Sequence, residues 1–334
     1  MQFGRLKRRD VLPLLGGVLA WPLASQAQQA DRARRIAMLV AAYSQSDREG
    51  QARVAAFLDR LQKLGWTDGR NVRVDYRWGG GDVERTKTAA AELVRSAPDL
   101  IVAGSNPAVA ALRDLATKIP IVFAQVSDPV GSGFVAGLPR PGGNMSGFQN
   151  FEDAIGGKWL GVLKEAAPGM RRAAVLFGSD TIVNLAFLRA AEAVAPSVGV
   201  EVTAVDISGG GDIERAIAAF ASKPDGGLIV VPHVYNTANR GSIIVLAARH
   251  RLPAVYPFRY FAAEGGLMSY GPDQIEQWSG AASYVDRVLR GENPGELPVQ
   301  APTKYELVIN LKTAKVIGLD VPPALPLRAD EVIE

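Results

Sequence analysis

From residue 35 onward, short β-branched apolar runs alternate with amphipathic stretches. Ile36–Val40 has the composition of a buried strand, and 48–64 carries apolar residues at three-and-four spacing, which predicts a helix with one buried face. This alternation is typical of βαβ units on a parallel sheet. The elements predicted for this half are strands at 36–40, 72–76, 100–103 and 119–124, and helices at 48–64, 83–95 and 108–117.

The second half of the chain repeats the first. The stretch from Gly79 to Arg85, GGGDVER, recurs from Gly209 to Arg215 as GGGDIER at an offset of 130 residues, and two further landmarks recur at similar offsets. The sequence therefore predicts an α/β protein with two doubly wound, Rossmann-like parallel sheets, one in each lobe. The second lobe is predicted to have strands at 173–177, 200–206, 227–231 and 254–256, and helices at 183–195, 213–221 and 238–249.

The two glycine runs have two possible roles. They could be turns in which Asp82 and Asp212 cap the following helices, or they could bind phosphate. We favour turns, because neither run follows the first strand of its lobe or has the GxGxxG spacing of a dinucleotide site.

Composition narrows the function classes. The chain has 334 residues with 48% apolar and 21% charged side chains, which indicates a globular protein of about two domains. It contains no cysteine, which excludes disulfides, thiolate catalysis and a lipid-anchored export signal, and its two histidines are His233 and His250. We therefore expect neither an enzyme nor a cofactor or metal.

The N-terminus predicts export. Basic residues between Arg5 and Arg9 precede an apolar run at 11–24, and Ser25 and Ala27 occupy the −3 and −1 positions of a cleavage site. The run is too short to span a bilayer, and the route, general secretory or twin-arginine, stays open. Cleavage near Ala27 would leave a mature chain near neutrality and a periplasmic protein, so we expect no nucleic-acid partner and no membrane insertion.

A ligand site is expected where the two lobes face each other. In open parallel sheets, ligands bind beyond the carboxyl ends of the strands, where strand order reverses. Two facing lobes bring two such edges to one cleft. The candidate binding residues are Tyr43, Ser44, Ser105, Asn106, Ser127, Asp128, Asn150, Ser179, Asp180, His233, Tyr235, Phe258 and Tyr270.

The chemistry of this set suits a small zwitterion. Ser105, Asn106 and Ser127 stand near the starts of helices or turns, where free amide hydrogens favour a carboxylate. Asp128 or Asp180 could pair with an ammonium group. Each of these residues could instead cap its own helix.

Aromatic residues could hold an apolar side chain of the solute. Tyr43, Tyr235 and Phe258 are the candidates for stacking. Arg259 is the one candidate in these loops for an arginine clamp, and the alternative is a solvated surface charge.

Five stretches carry a resemblance to a known family. They are VSDPVG at 126–131, RPGGN at 140–144, GKWL at 157–160, GLMSYGPD at 266–273 and ELVINLKTA at 306–314. With them, the whole chain resembles the bacterial ABC-transporter substrate-binding proteins of the tryptophan-binding type. The resemblance implies a type I periplasmic-binding fold, capture of a small solute between hinged lobes, and delivery to an inner-membrane permease with its ATPase. Such a protein needs no second copy, so we expect a monomer.

The resemblance also interprets the C-terminal part. It implies a strand at 266–270, a helix at 274–289 returned to the first lobe, and a strand at 307–311 in the second. The first lobe would comprise 34–147 and about 272–295, and the second 148–271 and about 296–334. Gly142, Gly143, Gly271 and Gly295 would then serve the hinge crossings.

Several functions remain open from sequence. The candidate solutes are an amino acid, including the aromatic amino acids tryptophan and tyrosine, or else an aromatic acid, a nucleoside or a sugar. An exported hydrolase would need Ser179 or Ser105 with His233 as base, and no GxSxG motif supports it. A DNA-binding regulator is excluded because the export signal occupies the place of its headpiece.

Overall fold

The computed structural model describes residues 33–208 and 212–334. The predicted export signal and its cleavage site, as well as the glycines of the second GGGD run, lie outside these residues. Within them, no helix is long and apolar enough to cross a membrane.

The first lobe is built on a five-stranded parallel sheet with the order β2-β1-β3-β4-β5. Residues 36–40, 100–104 and 121–126 of its central strands are buried on both faces and, apart from Gln125, apolar, as expected when helices cover both sides. The strands are β1 Arg34–Val40, β2 Val72–Trp78, β3 Leu100–Gly104, β4 Ile121–Val126 and β5 Met145–Gln149, and the helices are α1 Arg48–Lys63, α2 Val83–Arg95 and α3 Asn106–Asp114.

The second lobe is built on a seven-stranded sheet with the order β12-β11-β10-β9-β8-β6-β7, in which the β10–β11 pair is antiparallel. Its strands are β6 Arg172–Phe177, β7 Glu201–Asp206, β8 Gly226–Val230, β9 Ala254–Tyr256, β10 Met268–Gly271, β11 Glu306–Asn310 and β12 Glu331–Ile333. Its helices are α4 Ile155–Ala166, α5 Ile182–Val198, α6 Ile213–Ala221, α7 Val234–Ala238, α8 Arg240–Arg249, α9 Arg259–Ala263 and α11 Leu311–Ile317.

One helix returns to the first lobe, as the resemblance implies. The helix α10, Gln274–Leu289, packs along α1 and against β3, β4 and β5. Its Trp278 is fully buried in the first-lobe core, and a Cβ on Gly104 would lie 2.7 Å from the indole. The chain therefore crosses between the lobes on both sides of α10.

The GGGD stretches act as turns and caps where they are described. The side chain of Asp82 accepts a hydrogen bond from the amide of Arg85 at 2.9 Å, and Asp212 accepts one from Arg215 at 2.9 Å. Both aspartates precede the first residue of a helix, which confirms the prediction that they are N-caps.

Some elements differ from the prediction. β5 and α4 have no counterpart in the sequence prediction, because Met145–Gln149 lacks a β-branched run and no capping side chain marks the start of α4. The helix predicted at 238–249 begins at Arg240, because Asn239, with a φ of −103° and a ψ of 16°, separates it from the short preceding helix α7.

The hinge glycines also need a correction. Gly142 and Gly143 precede β5, and the Gly142 amide donates to the carbonyl of Gly295 at 2.9 Å, so these three glycines lie within the first lobe. Gly271 ends β10 at a crossing, where a Cβ would meet the Pro257 carbonyl oxygen at 1.8 Å.

Candidate functional site

A cavity lies between the two lobes at the carboxyl ends of their strands. It contains about 480 Å³ of space outside protein atoms, its opening included. Both lobes contribute to its wall, which consists of Ala42, Tyr43, Ser105, Asn106, Pro107, Gln125, Ser127, Asn150, Thr181, Val183, Pro232, His233, Val234, Thr237, Phe258 and Gln274. Seven of the thirteen sequence candidates are among these residues.

The first-lobe wall includes the start of α3. Ser105 precedes the helix, and its hydroxyl makes no capping hydrogen bond. Its φ of 85° places it in the left-handed region, where a non-glycine residue is strained and is found mainly at functional sites. With the cap unused and Pro107 in the first turn, the positive end of the helix faces the cavity.

Gln125 is a wall residue that sequence reasoning missed. The register between β4 and β5 shifts between Phe123 and Val126, and Gln125, within that irregularity, has a φ of 58°. A bulge re-aims the side chain it carries, and here the amide lines the cavity with 7% of the residue exposed. The apolar run that predicts β4 ends at Ala124 and gives no signal for this.

Asn106 connects the two first-lobe loops. Its Nδ2 donates to the carbonyl of Ser127 at 2.7 Å, and its Oδ1 accepts from the amide of Ser127 at 2.9 Å. Both ends of the amide are therefore occupied, and Asn106 fixes the position of the β4 loop relative to α3.

The opposite wall comes from the second lobe and the first crossing. His233 precedes α7, Phe258 precedes α9, and Asn150 follows β5. The Nε2 of His233 lies 3.0 Å from an oxygen of Asp180, and this hydrogen bond lowers the pKa of the Asp180 carboxyl. If Nε2 carries the proton, Nδ1 of the neutral ring is an acceptor.

Four wall residues present buried polar atoms without a hydrogen-bond partner in the protein. They are the Ser105 hydroxyl, Nε2 of Gln125, Oδ1 of Asn150 and Nδ1 of His233. Buried polar groups in folded proteins are nearly always paired, with protein, water or a ligand. The Ser105 hydroxyl and the Gln125 amide nitrogen can donate from the first lobe. On the other side, Oδ1 of Asn150 accepts, and Nδ1 of His233 accepts when Nε2 carries the ring proton.

The wall contains no carboxylate among the residues that the structure describes. Asp128 accepts from the amide of Gly131 at 2.8 Å in its own loop. Asp180 lines a neighbouring groove between the lobes, together with Ile182 and Arg113. Neither aspartate lies in the cavity wall, so the ammonium partner predicted from sequence is not placed there.

Four further candidates also lie outside the wall. The Ser44 hydroxyl is 3.3 Å from that of Ser46 on the surface, and Tyr270 stacks on Tyr305 with ring centroids 5.8 Å apart. The other two are Ser179, which is bonded to Ser208 and Asp206, and Tyr235, which faces a groove between α6 and α8. Arg259 pairs with Glu331 at 2.6 Å, which agrees with a surface charge.

An arginine absent from the sequence candidates stands behind the wall. Arg53 is 2% exposed, and its guanidinium lies 4.9 Å from the ring centre of Tyr43 and 5.2 Å from that of Tyr260. It also donates to the side chains of Gln274 and Glu49. Burial raises the pKa of the Tyr43 phenol, so this ring stays neutral beside the cation. Arg53 thereby fixes two wall residues, Tyr43 and Gln274.

Neither candidate serine forms a hydrolytic dyad with His233. The Ser179 hydroxyl lies 3.0 Å from that of Ser208, and the Ser105 hydroxyl has no partner, so neither serine is bonded to His233. Within the described ranges, no group of three or more His, Cys, Asp or Glu side chains could hold a metal ion.

Comparison with known proteins agrees with this architecture. The ABC transporter substrate binding protein family matches residues 46–333. A curated relative, the "Tyrosine-binding protein" of Clostridioides difficile (strain R20291), is 27% identical over 271 residues, which cover 79% of this chain and 75% of the relative. The chain therefore belongs to the ABC transporter substrate-binding protein family.

Solved structures share the two-lobe type I periplasmic-binding fold. An ABC domain in complex with L-Trp from Streptococcus pneumonia has a TM-score of 0.82 at 23% identity, covering 90% of this chain and 100% of that one. A conserved domain protein from Vibrio cholerae has a TM-score of 0.82 at 25% identity, covering 90% and 99%. A ligand-free, open substrate binding protein from Clostridium difficile has a TM-score of 0.64 at 23% identity, covering 91% and 99%.

Proposed function

We propose that this chain captures an aromatic amino acid in the cavity between its lobes and delivers it to the permease of an ABC importer. The observation that carries the proposal is the set of four unpartnered polar atoms in the cavity wall, with donors on one side and acceptors on the other. A zwitterion needs donors for its carboxylate at one end of the site and acceptors for its ammonium group at the other.

The carboxylate of the solute would lie at the start of α3. There the Ser105 hydroxyl and the Gln125 amide nitrogen are free to donate, and the helix dipole favours negative charge. Hydrogen bonds to a charged acceptor are stronger than neutral ones, by roughly a factor of two. These donors would therefore both orient the solute in the cavity and contribute to its binding affinity.

The ammonium group would be held by uncharged acceptors. Oδ1 of Asn150 and Nδ1 of His233 replace the carboxylate that the sequence suggested. Tyr43, Phe258 and Val234 supply apolar surface for the side chain of the solute. The tyrosine-binding relative supports an aromatic side chain.

An aromatic acid without an ammonium group is a second candidate. The absence of a carboxylate from the described part of the cavity wall favours it. Solute-binding proteins of the same fold, with TM-scores of 0.52, are known in complex with benzoate and with 3,4-dihydroxybenzoic acid. This candidate differs from the first only in the role of Asn150 and His233.

A matched trio of ligands separates the two candidates. We would measure the melting temperature of residues 28–334 with tryptophan, with indole-3-propionate, which lacks the ammonium group, and with tryptamine, which lacks the carboxylate. A ligand at 100 times its dissociation constant stabilises the folded protein by about 2.7 kcal/mol. The proposal expects a shift with tryptophan alone, whereas equal shifts with tryptophan and indole-3-propionate would favour the aromatic acid.

The remaining parts of the proposal concern the cellular setting. The export signal at the N-terminus supports a periplasmic location with cleavage near Ala27. The partners would be the small solute and an inner-membrane permease with its ATPase, and the protein would act as a monomer. The two moving bodies would be 34–149 with about 272–300 and 150–271 with about 301–334. The boundaries expected at 147 and 295 move because β5 extends to Gln149 and because Leu297 and Val299 are buried in the first-lobe core.

A further inference from the structure

The two lobes both line the cavity, and they also contact each other directly beside it. Asp47, before α1 of the first lobe, lies 2.7 Å from a terminal nitrogen of Arg240, at the start of α8 of the second lobe. The side chains are only 14% and 15% exposed, so water screens this ion pair little. No chain crossing lies at this point, and the pair therefore forms only when the lobes approach each other.

The two carboxylate oxygens of Asp47 have separate roles. Oδ1 accepts the amides of Glu49 and Gly50 at 2.9 and 3.2 Å and so caps α1, while Oδ2 accepts from Arg240. The positive end of α1 favours the same negative charge. The capping role and the interlobe role can therefore be separated by substitution.

Arg240 is held ready for this contact by its own lobe. Its Nε donates to Glu264 at 2.9 Å, its NH1 also reaches the Thr237 carbonyl at 3.2 Å, and its guanidinium lies 5.5 Å from the ring centre of Tyr260. These contacts persist when the lobes separate. The fixed orientation reduces the side-chain entropy lost when Asp47 arrives, which ordinarily cancels much of the value of an exposed ion pair.

We propose that Asp47 and Arg240 are positioning residues that set solute affinity from outside the cavity by stabilising the closed arrangement of the lobes. The inference rests on the proposed solute-binding function for its effect on affinity, but not for its effect on lobe closure. Binding in a cleft that closes is reduced by the fraction of molecules that are not closed, so a contact that favours closure strengthens binding without touching the solute.

The test uses Asp47→Asn, because asparagine caps a helix as well as aspartate does, so the substitution keeps the cap and removes the charge that faces Arg240. The chain has no cysteine, so Glu84→Cys on α2 and Val245→Cys on α8, both at exposed positions, allow one spin label on each lobe. In ligand-free protein we expect Asp47→Asn to shift the interlobe distance distribution toward longer distances. Coincident distributions would overturn the proposal whatever the solute proves to be.

Affinity supplies the second readout. Asp47→Asn and Arg240→Gln should each raise the dissociation constant of the solute on the order of tenfold, mainly through faster release, and the double variant should be no weaker than either single one. Arg259→Gln breaks an ion pair of similar length within the second lobe and should leave affinity unchanged. Additive losses in the double variant, or an equal loss in the control, would contradict an interlobe role.

Discussion

Gly81 limits how closely the two lobes can approach, and Gly81→Ala tests this directly. The glycine belongs to the turn between β2 and α2, which is tied to the first lobe by the hydrogen bond from its amide to the Ala41 carbonyl at 2.9 Å. A Cβ at this position would lie 2.6 Å from the Cβ of Ala238 and 3.0 Å from the carbonyl oxygen of Val234, both in the second lobe. Methyl carbons pack at about 3.5–4.0 Å, so the lobes would have to separate by about 1 Å here.

The expected loss of solute affinity follows from that steric overlap. Inserting a methyl group into a packed contact costs about 1–3 kcal/mol, and only the closed arrangement bears this cost. At about 1.4 kcal/mol per tenfold change, the dissociation constant of the solute should rise about 5- to 150-fold, as read by isothermal titration.

A neighbouring glycine provides the matched control. Gly80 also has a left-handed φ, 63° against 82° for Gly81, so alanine strains the backbone at either position. A Cβ on Gly80 would meet only Arg85 and Ser44 of its own lobe, at 3.2 and 4.0 Å. The melting temperature should fall by a similar amount in the two variants, and only Gly81→Ala should bind the solute more weakly. Equal affinities of the two variants would show that the contact at Gly81 does not limit lobe closure.

Two further variants separate binding from stability. Gln125→Ala should weaken solute binding about 10- to 100-fold at nearly unchanged melting temperature, because it removes a donor to a charged group, and unchanged titration curves would count against the carboxylate site. Asp180→Asn should leave affinity nearly unchanged and lower the melting temperature at neutral pH. Since its hydrogen bond with His233 lowers the folded-state pKa of Asp180 below the ordinary 3.8, this stabilisation is present above that value and is lost as pH falls through the lowered pKa. Melting curves of Asp180→Asn and the parent chain should therefore converge in acid, and a constant difference would show that the carboxylate charge is not the cause.

Much of the fold follows from local sequence patterns. Buried parallel strands can be predicted from apolar β-branched runs. Amphipathic helices such as α1 and α10 can be predicted from the spacing of their apolar residues and from their capping aspartates. β5 cannot be predicted in this way, because its residues, MSGFQ, adopt a strand conformation through pairing with β4. Tertiary pairing of that kind leaves no local signal.

The residues of the site likewise fall into those that local sequence predicts and those that depend on tertiary structure. Positions directly after strands, such as Ser105 and His233, follow from topology, since the carboxyl ends of parallel strands share an edge. Gln125 and Arg53 do not, because one depends on a bulge within a strand and the other on a helix face that meets the second lobe. Asp180 looks like a ligand group in sequence, but its hydrogen bond with His233 only emerges from the packing of two loops.

We propose that the cavity between the lobes binds one aromatic amino acid. The most direct measurement is isothermal titration of residues 28–334 with tyrosine and with tryptophan. We expect saturable binding of at least one of them at one molecule per chain, weakened by Gln125→Ala. Absence of heat with both amino acids, in protein shown to be free of carried-over solute, would contradict it.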